Sequence, residues 1–141
     1  MKLEREKKMK MFGSLLLMAV IGTSASAQTQ SQIKKRFSQD YTQCMDASGG
    51  ITAEMRDCFG TEIDRQDARL NQAYVMVMRP LPKPRKERLR GLQRTWIKQR
   101  DAKCTRASKA AEGGTLAGII YADCILDQTI SRTIFLENYK G

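Results

Sequence analysis

Apolar positions in this chain recur at intervals of three and four almost from end to end. They nowhere settle into the two-residue alternation of a half-buried strand. Ile33, Phe37, Tyr41, Cys44 and Met45 predict a first helix over about 31–47. Ser48-Gly49-Gly50 breaks the pattern, and Thr52 is a suitable N-cap for a second helix over about 52–79. The stripe of that helix is Phe59, Ile63, Leu70, Tyr74, Val77 and Leu81. Pro80, Pro82 and Pro84 stop it, and the last fits the first turn of a third helix, about 84–111, which shows Leu89, Leu92 and Trp96. Gly113-Gly114 closes the third, and Thr115 caps a fourth over about 115–139 along Leu116, Ile119, Ile120, Leu126, Ile130 and Ile134. Long helices joined by short connections pack as antiparallel neighbours. The expected fold is all-α, a small antiparallel bundle of about four helices with a short first member.

The chain ahead of this pattern has a different character. Residues 1–11 carry five Lys or Arg, a mostly apolar run covers 12–21, and Ala25-Ser26-Ala27 follows. Basic, apolar and small-residue parts in that order predict a secretory signal peptide over 1–27. The apolar run is well short of the roughly 20 residues that span a bilayer, so no stable membrane span is expected after cleavage. Residues 28–40 then form a polar lead-in and the start of the first helix, and 41–139 the helical domain. Removing 1–27 takes five basic and two acidic residues from totals of 25 and 15, which leaves a net charge of +7. The expectation is a basic, periplasmic or secreted domain.

Export gives the four cysteines a meaning. Cys44, Cys58, Cys104 and Cys124 are even in number, contain no CxxC, and would meet an oxidising compartment, so two structural disulfides are expected. Three pairings are possible. Cys104 lies nine residues before Gly113 and Cys124 ten after Gly114, equivalent heights about 14 Å from the turn of a helical hairpin. Cys44 and Cys58 flank the 48–52 turn in the same way. Hairpin geometry therefore favours Cys44–Cys58 and Cys104–Cys124.

The chain has no histidine. That removes Ser-His-Asp and Cys-His nucleophile systems, HExxH zinc sites and His-ligated haem. No catalytic residue, metal site or cofactor is assigned, and the chain reads as a non-enzyme. Asp67 and Arg100 fall at or beside the apolar stripes of helices two and three, with Asn71 and Asp101 as neighbours. They form a buried bidentate pair, with Asn71 or Gln93 taking leftover hydrogen bonds, or edge the solvated face; a catalytic or ligand-binding carboxylate is disfavoured because no second, pKa-shifted partner is present. Met76 and Met78 read as core gap-fillers. The segment 83–90 holds Lys83, Arg85, Lys86, Arg88 and Arg90, either a solvated helix start or a patch for anionic envelope components. Export and the lack of interleaved aromatics argue against nucleic acid.

Several of these residues form a recognisable set. Asp67-x-x-Leu70-Asn71-x-x-Tyr74, then Leu92-Gln93-x-x-Trp96-Ile97-x-x-Arg100-Asp101-x-x-Cys104, with Cys44, Cys58, Gly113-Gly114-Thr115 and Cys124, resemble the LprI-type lysozyme-inhibitor domain. The resemblance spans roughly 41–136. It implies a small exported helical protein that acts by binding, with a lysozyme as partner, and it assigns the shared residues to the scaffold. Animal-type lysozymes are basic, so the contact surface would be acidic or neutral, with a local acidic patch around Asp57, Glu62 and Asp64 as one candidate. The alternative is an envelope-associated interaction protein that uses the basic 83–90 segment.

Overall fold

The computed structural model describes residues 23–140. The basic and apolar parts of the expected signal peptide lie outside the described residues. Five helices are present among those described: α1 (Thr23–Lys34), α2 (Gln39–Ala47), α3 (Thr52–Met78), α4 (Lys83–Ser108) and α5 (Leu116–Glu137). A 3-10 turn, Lys109–Ala111, follows α4. The all-α fold is as expected, and three of the four helices begin and end close to their expected bounds.

The first helix is the exception. The stripe Ile33, Phe37, Tyr41 is on the core side, yet the helix is broken between Lys34 and Gln39 into α1 and α2. Ser38 is the reason. Its backbone is extended (ψ 156°), and its hydroxyl accepts from the Tyr41 amide at 3.0 Å, so it caps α2 where a continuous helix would have run. Residues 28–32, expected as a lead-in, belong to α1.

Local chemistry explains the other boundaries. The turn from α2 to α3 uses Gly49 and Gly50 at φ 56° and 82°, a left-handed stretch that suits glycine. Pro82 precedes α4 and Pro84 sits in its first turn, where no amide donor is needed. Gly113, at φ 88°, lets the chain turn into α5. Thr52 is the first residue of α3 and Ile51 its cap, while Thr115 caps α5 without a side-chain bond.

The two disulfides form as the hairpin geometry requires, with Cα–Cα separations of 5.7 Å for Cys44–Cys58 and 5.4 Å for Cys104–Cys124. One staples α2 to α3, the other α4 to α5.

Two apolar clusters build the interior. In the first, Ile33, Tyr41 and Phe59 meet Ile119, Leu126 and Ile130 of α5, and Phe37–Tyr41–Phe59 stack in sequence at 5.2 and 5.5 Å. In the second, Leu70, Leu89 and Leu136 close the far end beneath Trp96, Tyr74 and Tyr139. Phe59 with Ile119 and Leu70 with Leu136 show that α3 and α5 run in the same direction, with α4 opposite to both. The α5 helix contributes to both clusters and packs on α3, α4 and α1. Its buried positions (Ile119, Ile125, Leu126, Thr129, Ile130, Thr133, Leu136) extend well beyond a single stripe, as a helix flanked on two sides demands. Four expected stripe or core positions are exposed, among them Cys44, which is bonded to the buried Cys58. Leu92 and Leu116 are 41% and 57% accessible because α5 does not reach beneath the outer face of α4, and Leu116 begins its helix at the tip of a hairpin. Met76 is 56% accessible, whereas Met78 does fill the second cluster.

Removing the Cys104–Cys124 crosslink with Cys104→Ala and Cys124→Ala should lower stability by about 3 kcal/mol, since the link closes a 20-residue separation. Urea denaturation of the variant beside the parent measures this. Non-reducing peptide mapping of the parent should recover only the two pairs named above.

Candidate functional site

The joint between α1 and α2 is held by one face of α3, through residues at spacings of three and four. Glu62 is completely buried, and its carboxylate accepts from the Ser38 amide (3.0 Å), the Ser38 hydroxyl (2.6 Å), Gln66 (2.7 Å) and Arg65 (2.7 Å). Arg65 also reaches the Ser38 hydroxyl and Asp40. Gln66 and Arg69 donate to the Arg36 carbonyl at 2.8 and 2.9 Å. Burial pushes the Glu62 carboxyl up, but the hydrogen bonds from Ser38, Gln66 and Arg65 outweigh it and hold the group below the usual range. Glu62 is therefore a structural anchor and not part of an acidic surface. Asp57 and Asp64 of that expected patch are exposed.

On another side of the molecule α3 and α4 leave a cleft of about 480 Å³. Asp67, Leu70, Asn71 and Tyr74, at i, i+3, i+4 and i+7, form the α3 wall. Arg90, Gln93, Arg94, Ile97 and Arg100 form the α4 wall with the same periodicity. The cleft exists because both helices pack more extensively on α5 than on each other. Asp67, Asn71, Tyr74, Gln93 and Arg100 of the shared motif, expected to serve as scaffold, thus line one open groove, whereas Asp101 does not.

The direct Asp67–Arg100 pair does not form. Asp67 lies 11 residues before the end of α3 and Arg100 17 residues after the start of α4, an offset of about 9 Å along the helices. Arg100 instead donates from Nε to Asp101 at 2.9 Å and lies over the Trp96 ring at 5.1 Å. Asp67 is partly buried in the groove wall. Burial raises its carboxyl above the usual range, the Arg100 charge opposes that rise, and Asp64 adds to it.

Trp96 joins the second apolar cluster beneath the groove, between Arg100 and Arg132, the latter at 5.5 Å. Arg132 also lies 4.3 Å over Phe135 and donates from Nε to the Gln93 side-chain oxygen at 2.9 Å. Burial lowers its basicity. An arginine can only donate, so the Gln93 oxygen must face it, and Gln93 has its amide NH2 to offer the groove. Of the basic segment, Lys83, Arg85 and Arg88 are exposed and Lys86 half-buried around the first turns of α4, and only Arg90 turns into the cleft. Among the described residues no group of Cys, Asp or Glu is placed to hold a metal ion, and no helix is long and apolar enough to cross a membrane.

Ser38, Gln66, Arg94 and Arg132 were not legible as site residues. Only Arg94 carried a signal, its spacing of four from Arg90 on the face shared with Ile97.

Taken together, fold and cleft define a small, disulfide-stapled helical protein with a polar groove between two of its helices. A family model described as lysozyme inhibitor LprI matches residues 44–136. The chain belongs to this family. It is also 27% identical over 97 residues to an uncharacterized protein of Rhizobium meliloti (strain 1021), a match that covers 60% of this chain and 70% of that one. No solved structure matches the chain.

The two perturbed carboxylates of α3 should behave oppositely. Glu62→Gln should destabilise by about 3 kcal/mol, because it replaces a fully hydrogen-bonded buried anion. Asp67→Asn at neutral pH should fall within about 0.5 kcal/mol of the parent or gain slightly. The stabilisation from Glu62 is complete above the ordinary glutamate pKa of about 4.3 and disappears as pH falls through its lowered value. Ionised Asp67 does the reverse and weakens the fold as pH rises through its raised value. Denaturation of the parent and both variants between about pH 3 and pH 7 measures both signs.

Proposed function

We propose that this protein is an exported, non-enzymatic binding protein that inhibits a lysozyme. The observation that carries the reading is the family match over 44–136, which takes in both disulfides, all of α3 and α4, and nearly all of α5.

The distribution of charge supports it. The net positive charge does not cover the molecule evenly. α4 holds ten Lys and Arg against two acids, whereas α2 and α3 together hold seven acids against three Arg. Glu54, Asp57 and Asp64 form an exposed row at helical spacing on α3. A basic lysozyme can therefore approach α2 and α3 without meeting α4. In a lytic assay the purified protein should inhibit at least one of animal-type, goose-type and invertebrate-type lysozymes near equimolar ratio. Reversing Asp57 and Asp64 to Lys should weaken inhibition of a basic lysozyme about tenfold, through the association rate. Absence of inhibition at large molar excess overturns the reading.

The exposed cationic start of α4 favours a second reading, an envelope-associated protein that holds anionic surface components through Lys83, Arg85 and Arg88. Pull-down on lipopolysaccharide or peptidoglycan, with the lytic assay negative, separates it from the first.

A further inference from the structure

We propose that the groove between α3 and α4 is a binding site for a short, extended acidic peptide with carboxylates at alternate residues. This inference concerns the α3–α4 groove, which borders the acidic row of α3 at Asp64, and it stands whether or not a lysozyme is inhibited.

Arg90, Arg94 and Arg100 line one wall of the groove. On a helix they are spaced by about 6 and 9 Å, about 15 Å in all. Four or five residues of extended chain cover that distance at about 3.3 Å each, and alternate side chains point to the same side, about 6.6 Å apart. Three carboxylates on one edge of such a strand therefore meet three guanidiniums.

The opposite wall decides between a peptide and a simple polyanion. Asp67 and Asn71 line it, and the Asp67 carboxylate disfavours a compact anion that fills the groove, whereas an extended peptide can keep its carboxylates on the α4 side. Gln93, whose oxygen is held by Arg132, can donate its amide NH2 to a peptide carbonyl. Leu70, Tyr74 and Ile97 supply apolar contact between the polar edges. One member of the cationic wall is ordered in advance: Arg100 is held by Asp101 and by Trp96, so little of its side-chain freedom remains to be lost on binding.

Trp96 is the single tryptophan of the chain and contacts Arg100, which makes it an internal reporter. The test is titration of the full chain with acetyl-Glu-Ala-Glu-Ala-Glu-amide, followed by Trp96 fluorescence and by calorimetry. Saturable binding with a change in Trp96 emission is expected. The matching Gln-Ala-Gln-Ala-Gln peptide and inorganic pyrophosphate should bind at least tenfold more weakly. Arg90→Ala and Arg94→Ala should each reduce affinity about tenfold, the usual effect of losing a charged hydrogen bond. Arg85→Ala and Arg88→Ala remove the same charge from the same helix outside the groove and should change affinity less than about twofold. Arg90 and Arg94 are exposed, so these variants keep the fold, which circular dichroism checks. Inhibition of lysozyme should be unaffected in all four. Equal losses at Arg85 and Arg94 would reduce the site to diffuse charge attraction and overturn the proposal. Equal binding of the Gln peptide, tighter binding of pyrophosphate, or no binding at millimolar peptide would overturn it as well.

Discussion

The need to bury α5 from more than one side organises this molecule. Its buried positions extend well around the helix and include Ile125, Leu126, Ile130 and Leu136. No single partner can cover so broad a surface. α3 takes one side, α4 another and α1 part of a third, which makes α5 the shared member of both apolar clusters. Once α3 and α4 are both committed to α5, they do not close on each other along their length. They converge at Leu70, Leu89 and Leu136 near their connection, and the groove is the space that remains. The cleft is thus a direct consequence of where apolar area must be hidden.

The helical hairpins around α5 are held by different chemistry at each end. Disulfides staple α2 to α3 and α4 to α5, which suits a domain whose two small clusters contain only ten buried residues among those described. The α1–α2 joint has no covalent link and depends on Glu62. Its burial is tolerable because four donors converge on it, and their geometry in turn dictates where α1 stops and α2 starts. The bidentate ion pair between Arg36 and Glu137 ties the same joint to the end of α5, but both partners are about 40% exposed and the pair adds little.

This arrangement also separates the charge. The basic residues gather on α4 and the acids on α2 and α3, so a chain with a net charge of +10 still presents an acidic row. The groove lies at the boundary between these helices. It takes guanidiniums from one wall and amide and carboxyl groups from the other.

Helix type, most helix ends and the disulfide pairing were legible from the sequence, because each depends on neighbours a few residues apart or on distance from a turn. Periodicity of three and four, Pro84 in a first turn, glycines at positive φ and equal heights in a hairpin are all local quantities. The break at 35–38 was not legible, since the apolar stripe continues across it, and Ser38 caps α2 only because Glu62, 24 residues away, holds it there. The fate of Asp67 and Arg100 was not legible either. Their stripe positions suggested a pair, but pairing requires two helices in contact at matching heights, and here α5 takes the intervening contacts and the heights differ by about 9 Å. The sequence alone therefore determined which residues turn toward a common core and which cysteines join. The tertiary structure decided which helix lies between the others, because that depends on burying area from several helices at once, and with it whether Asp67, Asn71, Gln93 and Arg100 would line a scaffold interior or an open groove.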